Sequence, residues 1–326
     1  MFLKKNKAFS LVELSVVIVI VMIMIAGLIQ SSRIIGSMRI ATARNVTQSS
    51  AMPWINYIVT WYDATAADAF LEAETDDGDK ISRWNGAEVR YSDRINLNQI
   101  EDSKKPIYTS NGMYGLPSIK FDGIDDFLIS DNLEQSILTY RSATVFVVFE
   151  PKSTSSSDKR SILYQPSSCG RDFDLGYGFG GQKGNFGLAS SITECGAVNA
   201  TTSSIDYVIP NEKIVASLVV YSSPMIKGNV SNIKIFRNGY ASGSTNLKVN
   251  DGYNSDLIQS SQKYSDTSAK LYIGAVKAND NATPHSFFQG LLGEMIVFNR
   301  SLNNEDRKEI EKYLGKKWGI KVNYEQ

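Results

Sequence analysis

The sequence is poor in the residues that carry most metal and acid–base chemistry. It holds one histidine, His285, and two cysteines, Cys169 and Cys195, among 326 residues. Sites built from several imidazoles are therefore excluded. No serine sits in a Gly-x-Ser-x-Gly context, so a nucleophile elbow is absent as well. Charge of one sign is not in excess, with 34 basic and 34 acidic residues. No basic field exists to hold phosphates, and nucleic acid is not an expected partner. What remains is ordinary globular material, 42% hydrophobic and 21% charged, long enough for one large domain or two smaller ones.

The first thirty residues depart from that average. Lys4, Lys5 and Lys7 precede an apolar run over residues 9–29. About 21 helical residues at 1.5 Å each span roughly 31 Å, the thickness of a bilayer core. The basic flank is expected to stay cytoplasmic. A cleaved secretory signal would need a small-residue cleavage site after the run, and Leu28 and Ile29 continue past Ala26-Gly27. A plain anchor fits the length but leaves Glu13 unexplained. A carboxylate inside a membrane segment is costly and by default has a functional partner.

The stretch Lys7-Ala8-Phe9-Ser10-Leu11-Val12-Glu13-Leu14 resembles the processing motif of type IV prepilins and pseudopilins. The resemblance implies a leader, residues 1–8, cut between Ala8 and Phe9 by a prepilin peptidase. It implies methylation of the new amine at Phe9 and a role for Glu13 in assembly with other pilin subunits. Ala8 stands where that family usually has Gly. In an apolar filament core, the amine of one subunit and Glu13 of its neighbour would relieve each other's charge. The expected location is the inner membrane as precursor, then a periplasm-facing or cell-surface filament.

Beyond residue 29, Ile34, Ile35, Met38 and Ala41 follow helical spacing, with Arg33, Arg39 and Arg44 interleaved along the same stretch. Thr, Gln and Ser accumulate over residues 46–50, and Pro53 follows. A transmembrane and amphipathic helix is thus expected over residues 9–52, with a separate domain over 53–326. Outside the cytoplasm, Cys169 and Cys195 are expected to form a disulfide. It would stabilise the fold by on the order of 3 kcal/mol.

The rest reads as short strands. Residues 57–62, 143–149, 213–221, 233–237, 270–274 and 293–298 are β-branched and aromatic. Val145-Phe146-Val147-Val148-Phe149 lacks alternation, which predicts a strand covered on both faces. Asn238-Gly239 predicts a hairpin turn. Residues 153–157, 201–204 and 250–268 read as loops. Ser301 is the expected cap of a closing helix, with Gly315 beyond its end. Many strands and few helices imply an all-β sandwich or jelly roll.

Further motifs carry a second resemblance. Trp61-Tyr62-Asp63-Ala64 looks like the opening strand of concanavalin A-like, laminin-G-type jelly rolls. The run from Gly115-Leu116-Pro117 through Phe121-Asp122-Gly123-Ile124-Asp125-Asp126-Phe127-Leu128 is similar to their central signature. Residues 290–302 and 313–319 resemble their closing strand and terminal helix. The implied fold is a long N-terminal helix followed by a concanavalin A-like sandwich with a short C-terminal helix.

Asp122, Asp125 and Asp126 form the densest acidic cluster of the sandwich. Hard oxygens of this kind can hold Ca²⁺. Equally, Asp122-Gly123 can make a tight turn whose acids cap backbone groups. Asp76-Asp77-Gly78-Asp79 reads as a solvated turn, because it lacks the closing Glu of an EF-hand. Tyr164, Tyr177, Phe179, Phe186 and Tyr253 are of the type that stacks on sugars, though most such aromatics pack in cores. The glycines of residues 176–187 do not sit between a strand and a helix as a phosphate loop requires. Glycoside hydrolases on this fold need paired carboxylates, and no Glu-x-Asp-x-Glu occurs. The expectation is therefore a non-enzymatic filament subunit, a minor pilin, whose sandwich meets an extracellular glycan or protein. A pseudopilin scaffold and a membrane-anchored carbohydrate-active enzyme are the competing readings.

Overall fold

The structure is a computed structural model. It describes residues 11–52, 55–87, 94–131, 143–153, 160–166, 173–178, 185–190, 200–207, 209–221, 231–247, 270–277 and 283–324. Ala8, Phe9, Cys169 and Cys195 lie outside the described residues.

Helix α1 (Leu11–Gln48) leads into two antiparallel sheets. The first sheet runs β14 (Tyr240–Leu247), β13 (Ser231–Arg237), β12 (Ile214–Tyr221), β7 (Ala143–Pro151), β16 (Gln289–Phe298), β5 (Ser118–Asp122) and β4 (Ile107–Thr109). Strand β1 (Ile58–Asp63) joins it beside β16, in line with β5. The second sheet runs β11 (Ala200–Tyr207), β10 (Asn185–Ser190), β9 (Phe173–Tyr177), β8 (Arg160–Gln165), β15 (Tyr272–Ile273), β6 (Leu128–Ser130), β3 (Leu97–Asn98) and β2 (Arg83–Trp84). Residues 201–204 therefore belong to an edge strand, not a loop. Threonines suit an edge strand as well as a turn, and composition alone does not separate the two.

Alternation along the strands sorts the core into layers. Val145, Val147 and Phe149 of β7 face the second sheet, where they meet Leu128, Leu163, Ile273 and Trp84. Phe146 and Val148 face the opposite way, toward α1 and the closing helix. β7 is buried along its whole length, as its unbroken apolar run predicts. On the far side of the second sheet, Phe127, Tyr164 and Tyr272 form a third buried cluster. The Asn238-Gly239 hairpin is present, with φ of 48° and 89°, the left-handed pair that a two-residue turn requires.

Helix α2 (Asn304–Trp318) lies on the outer face of the first sheet. Asn303, not Ser301, is its cap, and its side chain accepts from the Asp306 amide. The helix also continues through Gly315 to Trp318 before Gly319 ends it in left-handed geometry. A Cβ on Gly315 would stand 2.5 Å from Val322 Cγ2, so this glycine admits the returning chain rather than stopping the helix.

Candidate functional site

The first half of α1 is predominantly apolar and exposed. Leu11–Leu28 is long and apolar enough to cross a membrane, and none of it is buried by the rest of the chain. Glu13 lies near its start, in the first turn of the helix. Past the span, Ile34, Ile35 and Met38 are each at least half exposed. From Leu11 to Met38 the rod is roughly 40 Å long, about 10 Å more than a bilayer core.

The C-terminal part of α1 is pinned to the sandwich. Ala43 and Met52 are buried beside Trp61, Phe146 and Leu314 in the layer under α2. Arg44 Nε donates to the Thr65 carbonyl at 2.7 Å, and Thr47 Oγ1 lies 3.1 Å from Tyr313 Oη. The Arg39 guanidinium lies against the Gly115 turn, where an added Cβ would stand 2.1 Å from Arg39 Nη1.

The register of β16 defines two poles of the sandwich: a proximal one at Gln289, where Asp122 pairs, and a distal one at Phe298, where the Tyr57 carbonyl accepts from the Asn299 amide.

Beneath these ties lies a buried polar hub. Glu294 Oε1 accepts from Trp61 Nε1 at 2.8 Å and Tyr313 Oη at 2.6 Å. Its Oε2 accepts from Trp318 Nε1 and Lys317 Nζ, both at 2.8 Å. Lys317 also donates to Asp63 Oδ2 at 2.6 Å, while Asp63 Oδ1 accepts from the Thr65 amide and hydroxyl. Burial pushes the Glu294 carboxyl up, against the pull of Lys317. Two indoles and an ammonium can only donate, so these partners fit an ionised carboxylate. Burial works against the charge on Lys317 as well, but Asp63 and Glu294 together raise it. Glu294 stands in an apolar run that signals its burial, but its partners are distant in sequence, so which groups meet it is not a local pattern.

The acidic cluster sits at the proximal pole. Asp122 is paired with Gln289, and residues 123–125 form a bend in which Gly123 has φ +79°. The carboxylates of Asp122, Asp125 and Asp126 each offer an oxygen within 4.8 Å of the others. They converge because a bend, unlike a strand, does not alternate its side chains. Asp122 Oδ1 accepts from the amides of Ile124, Asp125 and Asp126, and Asp126 Oδ2 accepts from the Asp122 amide. The turn is closed by its own carboxylates. Burial lifts Asp126 to about 7, opposed by its backbone hydrogen bond.

The other flagged groups are dispersed. Asp77 accepts from the Ser110 amide and hydroxyl, and Gly78 has φ +96°, which makes residues 76–79 a turn tied to its neighbour. Tyr164 and Tyr177 are buried. Phe179 and Tyr253 lie outside the described residues.

Residues 3–29 match the model of the prokaryotic N-terminal methylation motif. The segment is a type IV prepilin-type motif, and together with the apolar helix it fits anchoring in a membrane as a precursor. No curated protein matches it in sequence. Among solved structures, the chain is similar to domain 4 of a GH43 extracellular arabinanase from Geobacillus stearothermophilus, in complex with arabinotriose. Identity is 14% and the TM-score 0.44, over 78% of this chain and 97% of that one. It is also similar to a Trypanosoma rangeli sialidase, at 12% identity and a TM-score of 0.42, spanning 78% of this chain but only 32% of the sialidase. A third is the Ruminococcus gnavus IT-sialidase CBM40, at 16% identity and a TM-score of 0.33, over 51% of this chain and 79% of that one. These likenesses concern the sandwich fold. They also correct one expectation: the exclusion of an enzyme does not stand, because the structures matched are largely those of glycoside hydrolases and sialidases. The exclusion rested on an absent Glu-x-Asp-x-Glu and on a lone His285 with no Gly-x-Ser-x-Gly, patterns that do not define every active site on a sandwich.

Proposed function

We propose that this chain is a filament subunit, a minor pilin, whose sandwich is displayed outward for adhesion or recognition of a glycan. The observation that carries the reading is the exposed apolar span Leu11–Leu28 on a helix that carries Ile34, Ile35 and Met38 exposed beyond it and is locked to the sandwich at its far end. Apolar side chains beyond the bilayer need a cover, and rods of neighbouring subunits provide one. Ala8–Phe9 is the cleavage site in this reading, and Glu13 takes the methylated amine of a neighbour. Removing one partner of a buried ion pair typically costs about 3–5 kcal/mol, enough to select one stagger between helices.

The test is intact-mass and N-terminal analysis of the protein from its native membrane, joined to an assembly assay of Glu13→Ala. A chain beginning at methylated Phe9, two hydrogens lighter for a Cys169–Cys195 disulfide, is the expected product. Normal filament incorporation of Glu13→Ala would sink the assembly role. Whole filaments applied to a glycan array separate the display role from a pseudopilin-type scaffold, which would bind nothing there.

A further inference from the structure

Two tyrosines share an unusual backbone. Tyr57 has φ +72° and Tyr114 has φ +52°, and both side chains are more than half exposed. A bulky side chain in the left-handed region is strained, and such outliers concentrate where function holds them. Each ring also carries a cation, Arg300 at 4.7 Å from Tyr57 and Lys213 at 4.6 Å from Tyr114. Tyr114 has a packing role, because its ring lies against Gly319 at the end of α2. Tyr57 stands at the distal pole, and an exposed cation–π contact returns less than the left-handed backbone loses.

Arg300 is held in place and partly exposed. Its carbonyl accepts from Thr144 Oγ1 at 2.9 Å, and the adjacent Asn299 amide donates to the Tyr57 carbonyl at 3.1 Å. Both backbones are thereby pinned. Its Nη2 pairs with the Asp306 carboxylate at 3.4 Å and Nε is buried without an acceptor among the described residues, so a ligand can meet only the terminal nitrogens. A planar fork over one face of a half-exposed ring suits a ligand with a flat apolar side for the ring's other face and a carboxylate for the fork's edge.

We infer that Tyr57 and Arg300 form a binding site for an acidic sugar at the distal pole. The sugar ring stacks on Tyr57 and its carboxylate takes the Arg300 fork. The inference rests on the reading that the sandwich is displayed for recognition, and it names the site and the ligand class.

The test uses the full chain in detergent micelles with methyl glucuronide as probe and methyl glucoside as its neutral counterpart, read by saturation-transfer NMR and thermal melting. Wild type is expected to bind the glucuronide. Arg300→Gln should weaken that binding at least tenfold and leave the glucoside unchanged. Tyr57→Gly should abolish binding while melting no lower than wild type, since glycine relieves the strained φ. A clear drop in melting temperature for Tyr57→Gly would make the ring structural and overturn the site. Sugar binding that ignores both substitutions would overturn the site but leave the displayed-domain reading intact. No uptake of either sugar by wild type would overturn the site, and silence of whole filaments on the glycan array would then overturn the recognition reading too.

Discussion

Lys317 Nζ lies 2.6 Å from Asp63 Oδ2, joining the last turn of α2 to the end of β1 inside the protein. The same ammonium reaches Glu294, and Tyr313 passes the network on to Thr47 of α1. The joint between rod and sandwich is thus floored by charge rather than by packing alone.

Lys317→Met follows directly. It leaves Asp63 and Glu294 buried without their cation, and breaking such a pair typically costs about 3–5 kcal/mol. Chemical denaturation should show the loss in full. Tyr313→Phe is milder, removing one donor to Glu294 and the contact to Thr47, and should cost about 1–2 kcal/mol. A Lys317→Met protein as stable as wild type would mean that the hub is not ionised as its geometry requires.

This hub shows where sequence reading stops. The unbroken apolar run of β7 and the Asn238-Gly239 turn are local patterns, and both are realised. Asp63 and Glu294 lie on apolar strands and Lys317 on a polar helix far along the chain, and which of these charges meet follows from the packing of α2. Gly315 read as a helix stop because glycine ends helices more often than it makes room for a neighbour, as it does here for Val322. The acidic cluster was legible, and so was its turn. The convergence of its carboxylates was not, because that depends on the bend at residues 123–125.

Asp126 sets a pH dependence. Its folded value, about 7, lies above the ordinary 3.8 of the unfolded chain. Between those values the folded state binds more protons, so its contribution to stability is present below about pH 4 and is lost as pH rises through 7. Asp126→Asn removes the ionisation and keeps an acceptor for the Asp122 amide. The variant should therefore gain on wild type as pH rises from 5 to 8 in denaturant titrations. Parallel pH profiles for the two proteins would show that Asp126 does not titrate in this window.

Met38 separates assembly from folding. It is 64% exposed on the part of α1 that projects beyond a bilayer core. Met38→Asp should leave the stability of the sandwich within about 0.5 kcal/mol, as surface changes usually do. Filament incorporation should fall sharply, because the substitution places a carboxylate where a neighbouring rod would pack. Wild-type incorporation would show that this stretch of α1 faces solvent in the filament.

Gly293 tests how closely the closing helix is seated. A Cβ there would stand 2.5 Å from Trp318 Cη2 and 2.6 Å from Met113 Cε. Met113 can yield, but Trp318 is fully buried and its indole is tied to Glu294, so the ring has little room to retreat. Overpacking of this kind typically costs about 1–3 kcal/mol. Gly293→Ala should lower stability by that amount, and the loss should shrink when Trp318→Phe is made in the same chain, because the smaller ring vacates the contact. Additive losses in that double-mutant cycle would place the strain elsewhere than between Gly293 and Trp318.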